Sequence, residues 1–456
     1  MTRNKGKYLW AVFLLFLCAG SAKAGEVMTL RAAIDRVALD GRQVRIAVDN
    51  TVLARDEAEM AGSPLLPQVN AQAGYTAQAY QMASLAGGQK LNTAQKNFDS
   101  LGVDVYQTLY DFGADRSNLK AARALVKAFE ADEISSKNQS VLNVITAYVD
   151  ILEAGRMEAA AREELSSLAS HSKDVAIFFR EGVVTRNEFL AARVQFSFAR
   201  QQLVTWKDQQ KRARAHLAQI LSMKSLASAV VTDVEVNIPQ GLTLDSVRGE
   251  ALEGRPELKK MSHDLSAAGF SEDAVRASKK PTIFADSGYA YTDNRYMSRD
   301  DNWYVKLGVK MNIFNGGLTK AEIARAHSRQ EMLKEQRAAL EEEIGLQTEK
   351  GFWDLRDAKA LLTSSRSARD QAREDLRVTR TQYKEGSATS SAVLDAITRL
   401  ARAETGYWHG TYEVKRGYAR LLFAMGRDLR ENYMSDARQG ERCSPVTKNG
   451  ESLCCH

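Results

Sequence analysis

The sequence predicts a mixed α/β membrane protein: a twelve-stranded β-barrel pooled from three chains, four strands each, continued by a long α-helical coiled-coil barrel. Three observations predict it. Motifs recur at fixed spacing, four short segments alternate in polarity, and two 64-residue stretches, 114–177 and 318–381, contain no proline.

The duplication comes first. LYDFGADRSNLKAARA (109–124) matches IFNGGLTKAEIARA (313–326) and places Gly113 over Gly317, 204 residues apart. FREGVVTRNEFLAAR (179–193) matches YKEGSATSSAVLDAI (383–397) and places Gly182 over Gly386, again 204 apart. Upstream, Pro67 and Gly74 lie over Pro281 and Gly288 at a spacing of 214, so the first copy carries ten extra residues between its two strands. The expected organisation is a signal peptide at 1–24, a first repeat at 25–240, a second at 241–430 and a disordered tail at 431–456. Each repeat reads as helix, strand, loop, strand, very long helix, glycine-marked turn and second long helix.

The strands come from period-two alternation. In 303–314, Trp303, Val305, Leu307, Val309, Met311 and Ile313 share one face, and Tyr304, Lys306, Gly308, Lys310 and Asn312 share the other. Segment 281–291 groups Ile283, Ala285, Tyr289 and Tyr291, and 67–76 sets Val69, Ala71, Ala73 and Tyr75 against Gln68, Asn70, Gln72 and Thr76. Segment 101–110 alternates less cleanly. Lengths of roughly 10 residues fit tilted transmembrane strands. Taken alone, they alternate no differently from the strands of an ordinary sandwich, and that reading would be preferred.

The helices decide between the two. At about 1.5 Å per residue, such a stretch makes a rod of roughly 95 Å, too long for a compact domain. Leu142, Ile145, Val149 and Leu152 form one apolar seam, and Val141, Val144, Tyr148 and Ile151 form a second beside it. Two seams suit a helix packed between two neighbours in a ring; a two-helix hairpin with one wide stripe is the plainer alternative. Four strands cannot close a membrane barrel, whereas three chains supply twelve in a cyclic oligomer.

Arg3, Lys5 and Lys7, the apolar run Leu9 to Ala19 and the small residues Ala22 and Ala24 read as a secretory signal cleaved after Ala24. The run is too short for an uncleaved anchor, and Leu17 before Cys18 is unsuited to lipoprotein processing. Cleavage lowers the formal charge from +6 to +2, with nothing that suggests nucleic acid. Beyond Gly25 no apolar run reaches membrane-helix length, so any crossing needs strands. Cys443, Cys454 and Cys455 all lie in the polar tail, which could form a disulfide or hold a metal through Cys454, Cys455 and His456, or simply fray.

Those features together resemble the TolC family of outer-membrane factors over nearly all of 28–426. The motifs that carry the resemblance are LPQV (66–69) and KKPTI (279–283) before the first strands, LYDFG (109–113) and IFNGG (313–317) after the second, EGVVT (181–185) and EGSAT (385–389) at the turns, and VLDA (393–396). The resemblance implies a homotrimer in outer-membrane lipid that reaches into the periplasm. It implies an export channel served by a periplasmic adaptor and by an inner-membrane ABC exporter or proton-driven pump, in type I protein secretion or small-molecule efflux.

It also implies roles for particular residues. Gly182, Val183, Val184 and Thr185, with Gly386, Ser387, Ala388 and Thr389, fall on hairpin tips that meet the adaptor. Any helical hairpin needs a similar turn. Tyr383 falls on a gate tyrosine, Asp395 on a ring of pore aspartates and Glu188 on the acid that latches the gate. Ala388 and Ala392 stand where the family's best-known member has a gate arginine and a second ring aspartate, so the latch is expected to be weaker or differently wired. By threefold symmetry Asp395 gathers three carboxylates around the axis; an ordinary solvated aspartate is the simpler alternative.

No catalytic, cofactor or metal site is expected. The six histidines are scattered without ligand spacing, no G-x-S-x-G elbow occurs, and GGLTK (316–320) lacks P-loop spacing. Charged residues along the long helices, such as Glu341 to Glu343, read as solvated faces. The competing reading from another class is a soluble periplasmic coiled-coil scaffold, which leaves the four alternating strands unexplained.

Overall fold

The computed structural model describes residues 27–227 and 229–437. The expected signal peptide, the tail cysteines and His456 lie outside them. The chain runs through β1 (Val27–Met28), α1 (Leu30–Asp40), α2 (Arg42–Gly62) and β2 (Gln68–Ala77). A small hairpin, β3 (Ala83–Ala86) and β4 (Gln89–Asn92), precedes β5 (Asn97–Tyr110), α3 (Ala114–Arg180) and α4 (Arg186–Ile220). The second copy follows β6 (Val230–Val231) with α5 (Leu244–Gly254), α6 (Pro256–Ala277), β7 (Thr282–Thr292), β8 (Asp301–Lys310), α7 (Leu318–Lys384), α8 (Ser390–Ala424) and α9 (Leu429–Ala437). The extra residues of the first copy therefore fold as the β3–β4 hairpin.

The four long strands form one antiparallel sheet in the order β2-β5-β7-β8. Its register aligns the apolar residues into one continuous face: Val69 opposite Val105, Ala71 opposite Val103, Ala73 opposite Leu101, Val103 opposite Tyr289, and Ile283, Ala285 and Tyr289 opposite Val309, Leu307 and Trp303. This face is open to the surroundings, with Trp303 74%, Leu307 74% and Val309 68% exposed, a large apolar surface for water to meet. The opposite face is polar; Asn70 Nδ2 donates to Asp104 Oδ2 (2.9 Å) and the Tyr304 hydroxyl to Asp286 Oδ1 (3.3 Å).

Two strand boundaries differ from expectation. β8 stops at Lys310, and Met311 and Ile313, expected within it, are exposed outside it. Lys310 pairs with Thr282; the residue before that is Pro281, which has no N–H to extend the ladder. The unclear alternation of β5 has a local cause as well. Leu101, Val103 and Val105 keep the apolar face, but a bulge between Thr108 and Tyr110 inserts Leu109 and reverses the phase at the strand's end.

Helices α3 and α7 have 67 residues each, roughly 100 Å of rod. Each starts from a left-handed glycine, Gly113 or Gly317, and returns along a 35-residue partner, α4 or α8. Both seams of α3 are used: Val141, Val144, Ile145, Tyr148, Val149 and Ile151 are buried, and Leu142 and Leu152 pack against them. They form the centre of the main core with Leu30 and Ile34 of α1, Leu217 of α4 and Tyr412, Tyr418 and Leu421 of α8. The Tyr148 hydroxyl ties this belt to the parallel β1–β6 pair, lying 2.8 Å from the Thr232 carbonyl oxygen and 3.0 Å from that of Met28.

The expected tail boundary at residue 431 falls inside a helix. Helix α9 continues to Ala437, with Tyr433 and Met434 buried in the main core, because two more apolar side chains at consecutive positions find room beside Tyr418.

Candidate gate and docking site at the hairpin ends

The two hairpin ends are built alike. At each, a glycine with positive φ, Gly182 (75°) or Gly386 (78°), reverses the chain. Val183 N donates to Phe178 O (2.9 Å) and Gly182 N to Phe179 O (3.2 Å); Ser387 N donates to Gln382 O (2.9 Å) and Gly386 N to Tyr383 O (3.1 Å). These are paired Schellman closures, which satisfy the last carbonyls of α3 and α7. A Cβ at either glycine would meet nothing within 4 Å, so only backbone strain opposes a side chain there. Gly386→Ala is expected to loosen the end of α7 by about 1–2 kcal/mol, seen as faster amide exchange over 382–388 with the rest of α7 unchanged.

Threonines start the return helices. Thr185 Oγ1 accepts from Glu188 N (3.4 Å), and Glu188 Oε2 accepts from Thr185 N (3.0 Å) and Thr185 Oγ1 (3.1 Å), a complete capping box. In the second copy Thr389 Oγ1 accepts from Ala392 N (3.3 Å), and Ala392 cannot complete the box. Val183, Ser387 and Thr389 are exposed at the tips, while Val184 and Ala388 are half-buried.

Behind the tips all four long helices meet in a second core of Leu168, Ala199, Leu376, Val393, Leu394, Ala396 and Ile397, with Tyr383 packed on it. The Tyr383 ring meets His171 (5.2 Å between centroids) and Phe178 (5.9 Å) edge-on. Its hydroxyl is buried without a hydrogen bond among the described residues, although the Ser390 side chain is close enough to influence its ionisation. Burial pushes the Tyr383 hydroxyl pKa up, with the negative charges of Glu188 and Asp174 acting in the same direction.

The structure thus brings Tyr383 and Glu188 into one neighbourhood across α7 and α4, with Glu188 engaged by its own cap. Asp395 is apart from them, exposed on α8, with no hydrogen bond or ion pair among the described residues. His171 and Ser390 belong to the cluster without having been expected there. The available signal was spacing: Leu168, His171, Val175 and Phe178 repeat the 3-4-3 spacing of the apolar seams of α3 in a shifted register.

A further polar node ties α3 to α8 nearer the main core. Arg416, its side chain 7% exposed, donates to Glu153 Oε2 (2.5 Å), Asp150 Oδ1 (3.0 Å) and Glu413 Oε2 (2.9 Å), and His409 Nδ1 lies 2.9 Å from Glu153 Oε1. Burial raises the Asp150 carboxyl pKa despite the pull of Arg416.

The sequence profile described as outer membrane efflux protein matches residues 35–222 and 247–427, one match over each copy. The chain belongs to this family. Among similar efflux and export proteins, the pyoverdine export outer membrane protein OpmQ of Pseudomonas aeruginosa is 23% identical over 440 residues, covering 93% of this chain and 91% of the relative. The outer membrane protein TolC of Escherichia coli is 21% identical over 473 residues, covering 98% and 92%. The solved outer-membrane channel OprN superposes with a TM-score of 0.77 at 18% identity, covering 88% of this chain and 90% of OprN. This efflux-family chain is accordingly an outer-membrane protein of a family of transport proteins.

Proposed function

We propose that this chain is the exit duct of a tripartite export system, receiving cargo from an inner-membrane pump through a periplasmic adaptor and releasing it outside the cell. One observation carries the reading. The sheet has an apolar face open along all four strands and two free edges, β2 and β8. Pairing β8 of one copy with β2 of the next, around three copies, closes twelve strands and leaves no edge. The apolar face then meets lipid, the polar face lines water, and the helical hairpins extend the conduit inward. A soluble scaffold would leave that apolar face in water.

The hairpin tips, Gly182 to Thr185 and Gly386 to Thr389, are the surface offered to the adaptor. Energy comes from the pump, an ABC exporter or a proton-driven transporter. Small molecules are the first cargo class to test, because the OpmQ relative is named for pyoverdine export; protein secretion is the alternative, toward which LYDFG (109–113) leans slightly by its resemblance to family members that secrete large proteins. Deleting the gene and comparing dye retention with secreted protein in the medium separates them. Efflux predicts retained dye and unchanged secretion; if neither changes, the export reading fails.

Asp395 supplies the charge of the pore constriction in this reading. Asp395→Asn is expected to weaken block by multivalent cations in single-channel recordings by about tenfold, equivalent to roughly 1.4 kcal/mol. Unchanged block would remove Asp395 from the pore.

A further inference from the structure

His171 is 5% exposed, and its Nε2 lies 2.9 Å from Ser390 Oγ. The pair joins α3 of the first hairpin to the first residue of α8 in the second, just behind the tips. Tyr383 of α7 closes the other side of the imidazole with its ring edge. We propose that His171 makes the junction between the two hairpins a proton-operated clasp, which holds α8 against α3 when the imidazole is neutral and releases it when the imidazole is charged.

The charged groups around the site support that direction. Asp174, on the same helix, favours the imidazolium, but no hydrogen bond joins the two among the described residues. Arg380 on α7 opposes it. Glu188 on α4 acts on Tyr383, and its carboxylate is held by Thr185. The α8 side offers the Ser390 hydroxyl, which can bond either form of the ring, and the Ser390 backbone, which favours the charged form. What disfavours charging is therefore burial of a cation without a bonded counter-ion, and burial lowers the His171 pKa from its usual 6.5 despite Asp174 and the Ser390 bond.

The sign comes from linkage. The closed junction holds His171 with a depressed pKa, and an opened junction exposes it with an ordinary one. The open form then binds more protons, so closure is fully favoured above about pH 6.5 and weakens as the pH falls toward the depressed value. An acidified periplasm would bias the hairpins apart.

This inference rests on reading the hairpin ends as the channel's gate, so its test includes a readout that does not require conduction. Spin labels at Asn187→Cys and Ser387→Cys, with the tail cysteines replaced by serine, report tip separation in the full-length detergent-solubilised protein. Between pH 7.5 and 5 the distance distribution is expected to broaden outward, and in planar lipid films conductance is expected to rise several-fold. His171→Gln should abolish most of both responses while keeping a neutral partner for Ser390. Ser390→Ala should shift the separation outward at neutral pH, and Asp395→Asn, which removes the pore carboxylate, should leave the label response intact. Should His171→Gln retain the wild-type distance shift, the clasp is overturned. A distance shift lost in His171→Gln without channel formation would uphold the clasp and reject the channel.

Discussion

Arg416→Ala is expected to destabilise the junction of α3 and α8 by about 3–5 kcal/mol, among the largest effects of any single substitution outside the sheet. The guanidinium is nearly buried and binds three carboxylates, Asp150, Glu153 and Glu413. Its removal leaves those acids facing one another with Arg420, His409 and His216 as the nearby basic groups among the described residues. Urea unfolding followed by helical circular dichroism measures the loss. Glu153→Gln in the same background should recover part of it by removing one unpaired charge; no recovery would mean that Arg416 acts through packing alone.

Leu307→Arg is expected to be the most damaging change in the sheet. Leu307 lies mid-strand on the apolar face, opposite Ala285, and a cation near the bilayer midplane costs about 2–4 kcal/mol in each copy. Threefold repetition multiplies the cost in the closed barrel. The protein should fail to reach the outer membrane and should run as lower oligomers without heating. Lys306→Arg, one position away on the polar face, is the control and should assemble normally, since a one-residue shift in a strand changes which solvent a side chain meets.

The parts of this fold legible in the sequence are those governed by short-range periodicity. The hairpin ends are legible to the residue because Gly182 and Gly386 are needed for positive φ, and the two-seam spacing of α3 names its buried residues. Strand faces are legible wherever alternation is unbroken. They blur in β5 because a single bulged residue inverts the pattern, and β8 ends earlier than its alternation suggests because its end is set by Pro281 on the neighbouring strand. The tail boundary is hidden for a related reason, since burial of Tyr433 depends on Tyr418 and Lys415 of α8.

The polar interior is the least legible. Reading charged residues on the helices as solvated misses Arg416, whose acidic partners on α3 lie more than 260 positions away in the chain. Searching histidines for metal-ligand spacing passes over His171, because its significance lies in a seam position and in Ser390, 219 residues distant. Glu188 shows the converse. Its alignment with a gate acid is a matter of resemblance, while its capping bonds to Thr185 are local and arise from T-x-x-E spacing.

In this account the open sheet of one chain is a third of a closed wall. Planar-lipid recording of the purified, detergent-solubilised protein tests it most directly. Discrete, long-lived conductance steps that appear with the trimeric fraction and vanish in Leu307→Arg are the predicted result. A membrane that stays silent with fully folded, trimeric protein across pH 5 to 7.5 would contradict it.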